Sequence, residues 1–160
     1  MKFTEQKTVS ILFIFSGAAG LLYQIMWFKE LSYFLGNSTY AQSILLATYM
    51  GGLAIGAWYW GRKIDSSSKA LKIFAWLEIG IAVYCFSYQF IFSGLENSFI
   101  WVMSSYDIAS DSGFALFFKL IISVLAIIVP TILMGGTLPA LVKYFSQRIE
   151  GVATNVARFY

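Results

Sequence analysis

The stretch FALFFKLIISVLAIIVPTILMGGTLPAL, residues 114–141, decides the fold class of this chain. It runs for 28 residues and contains a single charge, Lys119. An α-helix needs about 20 apolar residues to cross a hydrocarbon core ~30 Å thick. Three further stretches, at 8–27, 40–60 and 70–92, have similar length and character. Continuous apolar runs differ from the ~10-residue alternating segments of a membrane β-barrel, so the sequence predicts an all-α integral membrane protein with four transmembrane helices.

The composition excludes most soluble enzymes. Hydrophobic residues make up 59% of the chain and charged residues 12%, against about 25% charged residues in soluble domains. Cys85 is the only cysteine, which rules out an intramolecular disulfide, and the chain has no histidine. The commonest acid–base residue and metal ligand is therefore missing. The start, MKFTEQK, resembles the charged region of a signal peptide, but the apolar run after it is too long, so we expect the first helix to be retained.

The distribution of basic residues predicts the orientation. Nine of the eleven Lys and Arg residues lie before the first apolar stretch, between the second and third, or after the fourth, whereas 94–113 holds none. These nine are Lys2, Lys7, Arg62, Lys63, Lys69, Lys72, Lys143, Arg148 and Arg158. The positive-inside rule then places both termini in the cytoplasm, and we expect a multi-pass protein of the bacterial inner membrane. The net charge of +3 reflects this topology and gives no indication of nucleic-acid binding.

The apolar runs and turn residues give approximate helix bounds within a single transmembrane domain. The tetrad GNST, at 36–39, is typical of a turn and helix N-cap, and ENSFIWVMSS, at 96–105, suits a short helix lying on the interface. The segment GVATNVARFY, at 151–160, looks like the start of a further helix, so we expect the chain to be the N-terminal part of a longer protein. The four predicted helices cover about 8–35, 40–61, 70–93 and 114–144.

The fourth helix contains residues that weaken a helix. Each proline removes an intrahelical hydrogen bond and favours a kink, and neighbouring Thr131 and Thr137 could satisfy the freed carbonyls. Helices broken by Gly and Pro mark substrate sites in transporters. The alternative is a kink that only shapes packing. The residues that predict the kink are Pro130, Gly135, Gly136 and Pro139.

Five polar residues within the predicted helices are candidates for an intramembrane site, namely Gln24, Glu30, Glu78, Thr131 and Thr137. Glu78 lies about eight residues into the third helix, and an intramembrane carboxylate is costly enough to suggest a function. It could bind a cation, relay protons or pair with a basic residue, or it could form a structural hydrogen bond to a neighbouring helix. Gln24 and Glu30 are similar candidates, with a structural or interfacial role as the alternative. Lys119, near the outer end of the fourth helix, is expected to extend its ammonium group towards the membrane surface.

Glycines at helical spacing predict close helix packing. Gly17 and Gly20 share one side of the first helix, and Gly52 and Gly56 form a G-x-x-x-G motif on the second. Small residues at this spacing allow helix backbones to approach. We expect packing within the chain, with a homo-oligomer interface as the alternative.

Motifs for soluble catalysis are missing from the sequence. It contains no G-x-G-x-x-G or Walker loop, no C-x-x-C and no Ser–His pairing. We therefore predict no catalytic residue, no metal site and no cofactor in this chain.

Several segments resemble the membrane part of fused spermidine-synthase-like proteins. In that family a helical domain similar to the major facilitators is joined to a cytosolic aminopropyltransferase domain. GRKID, at 61–65, also resembles half of the facilitator loop between helices two and three, with Ser66 to Ser68 replacing its basic second half. The similar segments are SGAAGLLYQIMWFKEL (16–31), GNSTYA (36–41), MGGLAIGAW (50–58), LEIGIAVY (77–84) and PTILMGGTLPAL (130–141).

The resemblance implies a partial facilitator-like bundle, followed in the whole protein by more helices and an aminopropyltransferase domain. The catalytic residues of that family belong to the latter domain, so none is transferred to this chain. The matched residues, whose role in the membrane domain the resemblance does not settle, are Gln24, Glu30, Glu78, Pro130, Thr137 and Pro139.

These observations support two main functional hypotheses. The first is a non-catalytic membrane module that anchors a spermidine-synthase-like protein or handles polyamine or product at the membrane. A polyamine would suit a carboxylate and aromatic faces through charge pairing and cation–π contact. The second is a structural or accessory subunit packed among other proteins of an inner-membrane complex. A complete small transporter formed by oligomerisation is a third, less favoured, alternative.

Overall fold

The computed structural model describes the backbone of residues 2–67, 69–109 and 112–157, and the side chains of 7–147 within those ranges. The described residues form four helices joined by short turns, and no strand occurs among them. The helices are α1 (Lys2–Leu35), α2 (Ser38–Asp65), α3 (Ala70–Ser105) and α4 (Gly113–Ala157). The all-helical prediction is confirmed.

The turn between α1 and α2 forms as its sequence predicts. Gly36 ends α1 with a φ of 68°, in the left-handed region that glycine adopts without a steric penalty. Asn37 then caps α2, because its Oδ1 accepts hydrogen bonds from the N–H groups of Thr39, at 2.9 Å, and Tyr40, at 3.2 Å. An Asn N-cap satisfies donors that the first turn of a helix leaves without a partner.

The third helix is longer than predicted. It continues to Ser105, so ENSFIWVMSS is its last part and does not form a separate interfacial helix. No Gly or Pro interrupts 96–105, and the helix stops only at Asp107, whose φ is 50°. After the end of α3, the Ile108 N–H donates a hydrogen bond to the Met103 carbonyl at 3.0 Å. This bond from a residue to the fifth residue before it is typical of the Schellman motif at a helix C-terminus.

The fourth helix is also longer than predicted. It runs without interruption to Ala157, past the predicted end near 144 and the predicted new start near 151. Only Gly151 could weaken the helix between 142 and 157, and a single Gly costs only about 1 kcal/mol relative to Ala. Pro130 and Pro139 both lie inside α4. A kink at these prolines stays a prediction.

The chain packs as two compact units, Met1–Ala47 with Phe90–Ile127 and Thr48–Gln89 with Ile128–Tyr160. We call these the first and second units. The buried core of the first unit includes large side chains from α1, α3 and α4, and that of the second includes side chains from α2, α3 and α4. Core residues of the first unit include Trp27, Leu31, Phe34, Phe92, Phe99 and Ile122, and those of the second include Ile64, Leu77, Ile81, Tyr88, Pro130 and Leu141.

Three segments are long and apolar enough to cross a membrane, namely Lys7–Leu35, Ala70–Ser105 and Gly113–Gln147. The helix α2 falls short in hydropathy, although its 28 residues exceed the about 20 that a crossing needs. Its first turns are polar, and four of its residues are glycine. It therefore stays a prediction that α2 crosses the membrane. The placement of both chain termini on the same side of the membrane depends on that crossing and also stays a prediction.

Cysteine labelling would test whether α2 crosses. Ser38 and Ser66 flank α2 and are both exposed. In a Cys85→Ser background, we expect a membrane-impermeant maleimide to label Ser38→Cys from outside intact cells. Ser66→Cys should be labelled only after permeabilisation, because the positive-inside rule places that end in the cytoplasm. Labelling of both positions from the same side would show that α2 does not cross.

Candidate functional site

The helices α2 and α4 are in close contact in the second unit, and glycines from both helices form this contact. Gly52, Gly56, Gly135 and Gly136 are all buried. A Cβ atom built on Gly56 would collide with the Ile132 carbonyl oxygen and lie 3.0 Å from the Gly135 Cα. A Cβ built on Gly135 would collide with the Leu53 carbonyl oxygen. The two backbones are therefore in direct contact, and any side chain at these positions would separate them.

Two further contacts extend this crossing in both directions. A Cβ on Gly52 would collide with the Thr131 hydroxyl oxygen, and a Cβ on Gly136 would lie 2.6 Å from Cγ of the Trp60 ring. Trp60 therefore packs closely against α4 at Gly136. The crossing thus includes Gly52, Gly56 and Trp60 on α2, with Thr131, Ile132, Gly135 and Gly136 on α4. We call this set the glycine crossing.

The two threonines of α4 bond to carbonyls within their own helix. The Thr131 hydroxyl donates to the Ile128 carbonyl at 2.9 Å, and the Thr137 hydroxyl donates to the Met134 carbonyl at 2.7 Å. Both side chains are buried. The carbonyl that Pro139 leaves without its usual N–H is that of Gly135, four residues earlier, so Thr137 bonds the neighbouring carbonyl. Local bonding of this kind often bends a helix.

Glu78 belongs to the same unit as the glycine crossing. Its side chain is half-buried and follows directly after Leu77, which is 3% exposed. Two residues further on, a Cβ on Gly80 would lie 3.3 Å from Cδ1 of Leu133 on α4. The part of α3 that carries Glu78 therefore packs on the proline- and glycine-containing part of α4. A carboxylate placed there can bind a cation or accept a hydrogen bond at low dielectric.

The other polar candidates lie elsewhere. Gln24 and Glu30 are half-buried residues of α1 in the first unit, whereas Glu78, Thr131 and Thr137 belong to the second.

The glycines of α1 differ in their environment. Gly20 is buried, but Gly17 is exposed, and a Cβ on Gly17 would have nothing within 4 Å. Sequence spacing alone could not predict that Gly20 is buried and Gly17 is exposed.

The structure gives Lys119 aromatic neighbours that the sequence did not suggest. Its ammonium nitrogen lies 5.6 Å from the ring centroid of Phe34 and 5.3 Å from that of Phe99. The two rings meet edge to face, with centroids 5.6 Å apart. A cation over aromatic faces is attracted by the ring quadrupoles. Because α1, α3 and α4 contribute one residue each, no local sequence pattern could reveal this arrangement.

A shallow groove lies at the turn between α1 and α2. It has a volume of about 440 Å³ and is lined by Phe28 together with Ser38, Thr39, Gln42 and Ser43. Its lining offers hydroxyl and amide groups but no acid or base, so it could hold a polar ligand without catalysing proton transfer.

The described residues contain no group of three His, Cys, Asp or Glu side chains that could hold a metal ion. Comparison of the chain with protein-family models, with curated proteins and with solved structures finds no match.

Substitution of a single glycine would test the crossing. We expect Gly56→Ala to lower the free energy of unfolding by about 1–3 kcal/mol, because its methyl group would overlap the α4 backbone. Gly51→Ala is the matched control, since a Cβ there meets nothing within 4 Å and alanine favours the helix by about 0.5–1 kcal/mol. Unfolding followed by circular dichroism in mixed detergent micelles measures both. Equal effects of the two changes would contradict the crossing.

Proposed function

We propose that this chain is a non-catalytic integral membrane module of a spermidine-synthase-like protein. The observation that carries the proposal is the glycine crossing. It joins two of the segments on which the resemblance rests, MGGLAIGAW at 50–58 and PTILMGGTLPAL at 130–141. Residues that are far apart in the chain, in segments that resemble the same family, form a direct backbone contact in the second unit. A shared packing role explains why both segments combine small residues at the same helical spacing.

In the proposed topology, α1 to α4 each cross the bacterial inner membrane and both termini are cytoplasmic. The location of the basic residues at alternate gaps supports this orientation. The length of α2 allows the fourth crossing, and α4 is kinked near Pro130 and Pro139. Four such helices would form the first part of a facilitator-like bundle.

The module would anchor an aminopropyltransferase domain outside residues 1–160 and handle polyamine or product at the membrane. In this proposal the catalytic residues belong to that other domain, and this chain contributes neither a cofactor nor a metal site.

Polyamine handling rests on Glu78. Its carboxylate is half-buried on the part of α3 that packs against the middle of α4, where an ionic interaction is screened less than at the surface. The buried hydroxyls of Thr131 and Thr137 lie in the same unit. A protonated amine would gain charge pairing from the carboxylate, and aromatic faces would add cation–π contacts.

A second candidate, an accessory subunit of a larger inner-membrane complex, is favoured by the exposure of α1. Only 11% of the most apolar window of α1 is buried within the chain, against 33% for α4. The side chains of Phe15, Leu22 and Ile25 are all more than 60% exposed. Lipid can cover such a surface, and so can a neighbouring subunit or a second copy of this chain.

Replacing Glu78 would test the polyamine role. We expect Glu78→Gln in the purified protein to weaken spermidine binding about tenfold or more, because a charge-assisted bond to the carboxylate is lost. Glu96→Gln is the control, since Glu96 is an exposed acid on the same helix. Isothermal titration calorimetry in detergent measures both affinities. If Glu78→Gln binds spermidine as tightly as the wild type, the polyamine role is wrong.

Mild detergent extraction would distinguish the second candidate. An accessory subunit should co-purify with partner proteins in fixed stoichiometry, whereas a membrane module of the enzyme should purify without them.

A further inference from the structure

The cytoplasmic end proposed for α2 combines tryptophans with cations in a defined geometry. The guanidinium carbon of Arg62 lies 4.5 Å from the ring centroid of Trp58. The ammonium nitrogen of Lys63 lies 5.3 Å from the ring centroid of Trp60. Each cation thus lies against an indole ring three or four residues before it in the helix, which limits its conformational freedom.

Two more cations follow across the turn. Lys69 precedes α3 and Lys72 lies in its first turn, and both are exposed, as are Arg62 and Lys63. The only acidic residue within 58–72 is Asp65. The segment 58–72 therefore carries four positive charges against one negative charge.

The surroundings of these cations are amphipathic. Trp58 is 60% exposed and Tyr59 is 49% exposed, and both directly follow the apolar run of α2. Trp and Tyr rings favour the boundary between hydrocarbon and headgroups, where the apolar part of the ring contacts hydrocarbon and the polar N–H or O–H group contacts water. A soluble anion or an acidic protein would neutralise the charges but leave the indole surface uncovered. A phospholipid supplies both a phosphate and acyl chains.

We propose that Trp58, Arg62, Lys63, Lys69 and Lys72 form a binding site for the phosphate headgroup of anionic phospholipids. We call these residues the basic–tryptophan patch. Arg62 and Lys63 contact the phosphate, Lys69 and Lys72 add attraction from across the turn, and the exposed face of Trp58 lies along the upper acyl chain. This inference requires that the chain lies in a membrane, but it is independent of any polyamine function.

Native mass spectrometry of the full chain tests the site. The protein is held in a zwitterionic detergent micelle and titrated with phosphatidylglycerol or phosphatidylcholine. Each basic residue near an anionic lipid surface favours binding about fivefold. We therefore expect Arg62→Gln with Lys63→Gln to weaken binding of the first phosphatidylglycerol about 25-fold, with phosphatidylcholine binding unchanged.

Lys7→Gln with Lys29→Gln is the matched control, because it also removes two exposed cations but lies outside the patch. This control should keep wild-type affinity for phosphatidylglycerol. If both double variants lose the same affinity, total charge explains binding and the proposal is overturned. Far-UV circular dichroism and gel filtration confirm that each variant remains folded.

Two further experiments test the contribution of the Trp58 ring and the preference for a lipid over a free anion. Trp58→Leu keeps every charge, and we expect it to weaken phosphatidylglycerol binding about threefold through loss of the cation–π contact. Inorganic phosphate added at the concentration of the lipid should not displace phosphatidylglycerol. Displacement would identify a site for free anions and overturn the lipid proposal, as would wild-type affinity in Arg62→Gln with Lys63→Gln.

Discussion

The direct contact between the backbones of α2 and α4 is the constraint on which the second unit depends. Gly56 and Gly135 face each other so closely that neither can carry a side chain. This approach places Thr131 against Gly52 and the Trp60 ring against Gly136. In lipid, where the hydrophobic effect does not drive helices together, such close packing supplies much of the attraction between them. The ring of Trp60 in turn supports Lys63, so the packing of the helices and the charge at the end of α2 are connected.

Aromatic faces hold cations in both units. Lys119 lies over Phe34 and Phe99 in the first unit, and Arg62 and Lys63 lie over indole rings in the second. Aromatic residues outnumber carboxylates in this chain by 30 to 8. Cation–π contact needs no counter-ion and carries a smaller desolvation cost than a buried ion pair. The same chemistry would suit the amines of a polyamine, with Glu78 as an acidic partner.

The helical fold and the first turn could be predicted from the sequence, because apolar length and the GNST tetrad are local signals. Helix ends were harder to predict. α3 continues to Ser105 and α4 to Ala157, since no Gly or Pro lies within 96–105 and the single Gly151 is too weak a signal to end α4. The G-x-x-x-G spacing identified Gly52 and Gly56, but it could not show that Gly135 lies opposite Gly56. Nor could glycine spacing show that a side chain at Gly17 would meet no neighbour within 4 Å. The ring contacts of Lys119 depend on three helices, so they lie beyond any local pattern.

The central claim is that these helices serve a larger aminopropyltransferase-like protein. The intact mass of the polypeptide, measured by mass spectrometry after extraction from its native membrane, tests this claim most directly. The account predicts a mass far above the 18.0 kDa of residues 1–160, with peptides of a cytosolic aminopropyltransferase domain in its digest. A mass near 18.0 kDa would contradict the claim and leave the partner-bound accessory subunit as the better account.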